Sequence, residues 1–336
     1  MENLNLYQTA TVDNWQGRID KNRNSNSASI SAQIERLHQA VKTVDLSQTD
    51  FSQKIIHNSF CLLGFCCDAG VIRNHGRPGA ASGPDALRKM LANLPLHQKL
   101  TMYDAGNILC GNQDLETAQE ALGQAVKTLT ESGLQVIVLG GGHEVAWGHY
   151  QGIAQRTQHQ TLGIINFDAH YDLRPLLKNN QGSSGTPFSQ IAQHRGKNNF
   201  YYCCVGIQET ANTSSLFEQA KLFNTKTIYA NQVHADHNLE KIKKQLIDYA
   251  KQFDALYITL CLDVFAQSVA PGVSAPQANG LLPNQVIPLL ETLAKLKKPL
   301  YFDIAELAPC YDNDNQTARL AASCLYQFIS NHSGNL

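Results

Sequence analysis

Asn166-Phe167-Asp168-Ala169-His170-Tyr171-Asp172-Leu173-Arg174 is the stretch on which the reading of this chain turns. It follows an apolar run at 162–165 that reads as a buried strand. Asp168, His170 and Asp172 stand at i, i+2 and i+4, positions that share one face of an extended segment. Two carboxylates and an imidazole on one face, where a strand runs out into a loop, suit a divalent metal of the manganese, iron or zinc type. A polar strand end feeding a turn has the same local pattern, so the surroundings must decide.

Those surroundings alternate. Strand-like apolar runs fall at 60–67, 100–105, 136–139, 162–167, 200–207, 227–229, 255–262 and 300–304. Helix-length segments lie between them, at 84–94, 115–132, 145–156, 238–252, 284–297 and 315–331. Eight β–α units predict a mainly parallel sheet covered by helices. The same count fits an eight-stranded TIM barrel, and periodicity does not separate the two. Either architecture gathers functional groups at the carboxyl ends of strands.

Polar clusters sit at those ends. Gly140-Gly141-Gly142-His143-Glu144 follows the run at 136–139. Its glycines allow a tight turn and close backbone approach, delivering His143 at the start of a helix. A phosphate-binding loop is the weaker reading, because no Lys-Ser/Thr follows the glycines and G-x-G-x-x-G is absent. Asp263 ends the run at 255–262 and precedes a Pro-Gly turn at 271–272. Asp303-Ile304-Ala305-Glu306 closes the last run. A lone carboxylate is usually solvated or capping; four polar clusters at four strand ends are harder to explain that way.

With 336 residues the chain can bury a sizeable core, as one large α/β domain or two smaller ones. Lys and Arg number 27 against 28 Asp and Glu, so net charge favours neither nucleic acid nor an anionic membrane. No apolar stretch approaches the roughly 18 residues of a membrane span. The amino terminus has neither the basic start nor the apolar core of a signal peptide. Nine cysteines, an odd number without a C-x-x-C, read as buried free thiols of a cytoplasmic protein. Residues 1–50 are rich in Asn, Gln and Ser and read as an amino-terminal arm packed on, or extending from, a single catalytic domain at 51–336. A flexible bend is expected around 23–29 and a mildly amphipathic stretch around 34–41.

Together, GGGHE, DAHYD, a strand ending in Asp263 before APG, and DIAE resemble the ureohydrolase superfamily of arginase and agmatinase. That resemblance implies a three-layer α/β/α sandwich around a parallel eight-stranded sheet rather than a barrel, and C–N bond hydrolysis at two divalent metal ions, most often manganese. Within the superfamily the chain looks most like the formimidoylglutamase family of histidine degradation. The residues that carry this are WQGRID at 15–20, RLHQ at 36–39, VIRNHGRPGA at 71–80, DLRP at 172–175, SSGTPF at 183–188, GIQ at 206–208, NT at 212–213 and APGVSAP at 270–276. His143-Glu144 replaces the His-Ser of arginases, and Phe188 stands where an arginase has a proton-shuttling His.

By resemblance the metal ligands fall on His143, Asp168, His170, Asp172 and Asp263, with Asp168 bridging. A second bridging Asp is expected two residues before Asp263, and that place holds Cys261. The implied reaction is hydrolysis of N-formimidoyl-L-glutamate to L-glutamate and formamide, with Glu306 holding the amidinium and Asp172 or Asp168 passing a proton to the leaving nitrogen. Arg174, Arg73 and Arg77 are expected to bind the substrate carboxylates, with Asn74 and Ser184 beside them. An arginase- or agmatinase-like guanidine hydrolase and a metal-poor, inactive homologue are the alternatives. The implied partner is a small molecule, with a homo-oligomer open.

Overall fold

In a computed structural model, residues 4–19, 36–48, 52, 55–97, 100–235, 239–296 and 298–333 are described. The eight expected apolar runs form strands β3 (Phe60–Cys66), β4 (Met102–Leu109), β5 (Gln135–Leu139), β6 (Leu162–Phe167), β7 (Tyr201–Ile207), β8 (Lys226–Tyr229), β9 (Ala255–Cys261) and β10 (Leu300–Ala305). They pair in the order β4-β3-β5-β10-β9-β6-β7-β8, all parallel. The sheet does not close on itself, which excludes the barrel.

Two short strands were not expected from the sequence. β1 (Tyr7–Gln8) runs antiparallel to the far half of β4, and β2 (Val41–Thr43) runs parallel to its near half. The sheet therefore has ten strands, eight of them long. Both additions lie at one edge and cover open hydrogen-bonding groups of β4.

The strands read as continuous apolar runs because both faces are covered. Along β9, Leu256, Ile258 and Leu260 enter one core and Ala255 and Tyr257 the other. The first core is closed by the helices Gly83–Ala92, Pro283–Ala294 and Gln316–Ser333, the second by Leu115–Glu131, Val145–Ala154 and Pro187–Arg195. Period-two alternation across two helix layers is the physical content of the α/β/α sandwich.

The amino-terminal arm is better anchored than its composition suggests. Trp15 is buried, and its indole N–H donates to Asp104 at 2.7 Å. Asn14 donates to Asp85 at 2.9 Å, and the Arg18 amide donates to Asn93 at 2.9 Å. Asp20, the bend around 23–29 and the first residues of the 34–41 stretch lie outside the described residues. No described helix is long and apolar enough to cross a membrane.

Candidate metal centre

The four central strands β5, β10, β9 and β6 end side by side, and each contributes to one site. His143 follows β5, Glu306 follows β10, Cys261 ends β9 with Asp263 in the turn just after it, and Asp168, His170 and Asp172 follow β6. After β5 the backbone makes its turn in van der Waals contact with β3. The Gly142 amide donates to the Cys67 carbonyl at 2.9 Å, and a Cβ on Gly141 would sit 1.7 Å from that oxygen. Only glycine permits this approach.

The segment after β6 does not stay extended. A straight strand rises about 3.3 Å per residue, so i and i+4 would stand roughly 13 Å apart, too far to share a cation site. Here the chain curls, and Asp172 takes a left-handed φ of 48°. Asp172 and His170 consequently fall on opposite sides of Asp168 rather than in one row. His143 Nδ1 lies 2.9 Å from both Asp168 Oδ2 and Asp172 Oδ2, while His170 Nδ1 lies 3.4 Å from Asp168 Oδ1 and 3.2 Å from Asp263 Oδ2. Asp168 thus turns one oxygen to each histidine. Donor atoms of His143, Asp168 and Cys261 lie within 4.8 Å of one another, as do those of Asp168, His170 and Asp263.

Neighbours fix these ligands. His143 Nε2 lies 3.0 Å from Thr259 Oγ1. A hydrogen bond donated there leaves the Nδ1 lone pair facing the carboxylates. Asn166 donates to Asp168 Oδ2 at 3.1 Å and to the Tyr202 hydroxyl at 2.9 Å. Asn212 brackets the curl, accepting from the Tyr171 amide at 3.0 Å and donating to the Ala169 carbonyl at 2.8 Å. Phe188 presents its edge to His143 at 5.5 Å and stacks on Tyr202.

The protein's own charges leave the site in excess of acid. Burial pushes Asp263 up to about 6, assisted by the charge of Asp168. Burial and Asp263 push Glu306 up to about 7. Burial would lower His143 and His170, but the adjoining carboxylates outweigh it and hold both rings well above the ordinary histidine value. Burial, then Asp168, Asp263 and Glu306, hold the Cys261 thiol well above its usual range. His143 Nδ1 and Asp263 Oδ1 are buried without a hydrogen-bond partner. A convergent N, O and S donor set with uncompensated negative charge fits cations.

Above the cluster is a pocket of about 290 Å³. Its lining includes the carboxylates of Asp172, Asp263 and Glu306, the last two buried, and the exposed side chains of Arg174, Arg77 and His75, together with Asn74 and Ser184. Arg174 lies across Gly185, where a Cβ would meet its Cδ at 2.7 Å. Among the described residues no carboxylate pairs with it. Asn74 donates to Ser184 at 3.1 Å. Arg73 departs from expectation. It is absent from the pocket lining, and its guanidinium forms a bidentate pair with Glu116 at 2.6 and 2.9 Å and donates to the Gly182 carbonyl. A planar fork already matched to a carboxylate has no reason to turn inward. Sequence reasoning missed Thr259 and Ser274. Thr259 could have been found by alternation from Cys261; nothing local marks Ser274.

A sequence model of the arginase family matches residues 58–330. The chain belongs to the arginase family. Among curated relatives, it is 43% identical to the formimidoylglutamase of Legionella pneumophila strain Paris over 330 residues, 98% of each chain. It is 39% identical to that of Clostridium tetani, over 96% of this chain and 95% of the other. Among solved structures, Trypanosoma cruzi formiminoglutamase with Mn²⁺ superposes with a TM-score of 0.75 at 25% identity, covering 83% of this chain and 95% of that one. The Bacillus subtilis formimidoylglutamase, at 22% identity and a TM-score of 0.78 over 93% of this chain and 96% of the other, supports the fold. Within the arginase family, therefore, these two curated relatives, matched over nearly their whole length, are formimidoylglutamases, and this chain is a hydrolase of that kind.

Proposed function

We propose that the cluster around Asp168 is a binuclear metal centre and that the pocket above it takes N-formimidoyl-L-glutamate with its formimino end down. The protein hydrolyses the formimino C–N bond of that substrate, yielding L-glutamate and formamide, as in histidine degradation. The observation that carries the pose is the make-up of the pocket lining, which combines the buried carboxylates of Asp263 and Glu306 with the exposed guanidinium of Arg174. An amidinium with a dicarboxylate tail matches that make-up. The ammonium tail of agmatine would meet Arg174, and arginine's tail carries only one carboxylate.

His143, Asp168, Asp172 and Cys261 would hold one ion, and Asp168, His170, Asp263 and Cys261 the other. Manganese, carried by the Trypanosoma cruzi formiminoglutamase, is the ion we assign. Two such cations would supply Lewis acidity and lower the pKa of a shared water toward neutrality. Glu306 accepts the amidinium N–H by a charge-assisted hydrogen bond, with its Oε1 held by the His143 amide at 2.9 Å. Asp172 reaches the pocket lining and Asp168 does not, so Asp172 is the carboxylate placed to pass a proton to the leaving nitrogen. Formamide release from N-formimidoyl-L-glutamate, set against urea release from arginine and agmatine, tests the assignment; preference for either guanidine would overturn it.

Arg174→Ala is expected to raise KM for N-formimidoyl-L-glutamate about tenfold to a hundredfold, the loss of one charge-assisted contact of about 1.5–3 kcal/mol. Unchanged KM with a lowered Tm would make Arg174 structural instead.

Cys261 sets the finer metal preference. Two adjacent dications, when bound, would favour its thiolate over the thiol and so restore the charge an Asp would supply there. Sulfur is the softer donor, tilting the site from manganese toward zinc, iron or cobalt. Cys261→Ala should retain less metal after dialysis than the native chain, and Cys261→Asp should bind manganese more tightly. Unchanged stoichiometry in Cys261→Ala would leave the sulfur a spectator.

A further inference from the structure

We propose that Ser274 is a positioning residue for Glu306, and that Arg77 serves the reaction by holding Ser274 rather than by touching substrate. The proposal rests on the reading that Glu306 receives the amidinium. Ser274 lies on the loop after β9, and its Oγ donates to Glu306 Oε2 at 2.5 Å. The other oxygen, Oε1, receives the His143 amide. Each carboxylate oxygen offers two lone pairs, so one on each remains free for a ligand in the pocket. Glu306 itself sits at a left-handed φ of 71°, its amide donating to the Gly141 carbonyl at 2.8 Å. Such a backbone is kept only where the surroundings over-determine it.

Arg77 reaches this loop from a stretch nearly two hundred residues earlier in the sequence. Its Nε donates to the Ser274 carbonyl at 3.0 Å and its Nη2 to the Val273 carbonyl at 2.6 Å. The face of the guanidinium lies over the Tyr311 ring, 4.1 Å from the centroid. Two donor groups and one face are therefore committed to protein. A guanidinium used in this way is a fastener, in contrast with Arg174. The line of contact runs from Tyr311 through Arg77 to the backbone at 273–274, then through the Ser274 hydroxyl to Glu306.

Steady-state kinetics on manganese-loaded enzyme tests this, with metal content and Tm measured for each variant. Ser274→Ala is expected to lower kcat about tenfold to a hundredfold with KM little changed and metal content intact. Ser274→Thr, which keeps the hydroxyl, should recover most of the loss. Arg77→Ala, at an exposed residue, should lower kcat in the same sense, which keeps the test open should Ser274→Ala fold poorly. In the double variant the second substitution should add almost nothing to the first, as expected for residues acting in series. Multiplying losses, or an Arg77→Ala enzyme with raised KM and native kcat, would put Arg77 on the substrate and overturn the proposal. Glu306→Gln separates the two levels. If it is inactive while Ser274→Ala keeps native kcat/KM, the positioning role alone fails. If Glu306→Gln is itself active, the reading of Glu306 falls and the proposal with it.

Discussion

Asp168→Asn is expected to lose bound manganese and at least about a thousandfold in kcat, the scale on which a single directly acting group contributes. Asp168 is fully buried and shows a different oxygen to each histidine, at 2.9 Å from His143 and 3.4 Å from His170. An amide keeps the shape but offers one carbonyl oxygen and no charge, so one of the two ion positions loses its donor and both lose attraction. His143→Ala and His170→Ala each remove one nitrogen donor on one side of Asp168. They should lose activity and at least part of the metal while keeping the fold. Metal analysis after gel filtration, circular dichroism and formamide release check all three. Native metal content in Asp168→Asn would show the bridge to be misplaced, and a fully active histidine variant would end the binuclear reading.

Asp104→Ala is expected to cost about 3–5 kcal/mol of stability, the range for stranding one member of a buried ion pair. Arg88 is 1% exposed, and its guanidinium donates to Asp104 at 2.9 Å, Asn107 at 2.7 Å and the Gly106 carbonyl at 2.8 Å. The other Asp104 oxygen takes the Trp15 indole N–H. Removing the carboxylate leaves a buried cation with only the partly exposed Asp85, 3.4 Å away, as a counter-charge, and a buried N–H without its acceptor. For a chain of this size that is a fall in Tm of about 4–7 °C. Trp15→Phe keeps most of the ring and loses only the N–H, so it should cost less, about 1–3 kcal/mol. Thermal unfolding measures both. An Asp104→Ala protein melting within a degree or two of the native chain would show that this network does not hold the arm. The network lies at the β4 edge of the sheet, away from the central strand ends, so metal content should not change.

Much of this protein is decided by short-range sequence. Eight apolar runs of strand length, separated by helix-length segments, specify a parallel sheet covered on both faces, because only full burial explains runs without polar alternation. The proposed metal donors are legible for the same reason: His143, Asp168, His170, Asp172 and Asp263 follow closely on strands, and strand ends are where this architecture exposes side chains. Cys261 joins them through the family resemblance, which puts a bridging Asp at its place, and alternation along the strand turns it to the same face as Asp263.

Tertiary structure decided what depends on residues far apart in the chain. Closure into a barrel or an open sandwich turns on strand order, which no local pattern encodes; β10 inserts between β5 and β9. Whether a guanidinium faces substrate or protein depends on which partner lies nearby. Arg73, Arg77 and Arg174 look alike in sequence, yet Glu116 takes the first, the 273–274 carbonyls take the second, and the third lines the pocket with no carboxylate partner among the described residues. The curl at Asp172 is likewise a tertiary result, since Asn212 and His143 hold a backbone that its own residues disfavour. Trp15 shows the same limit from the other side: a polar, low-complexity neighbourhood hid a buried anchor whose acceptor lies 89 residues away.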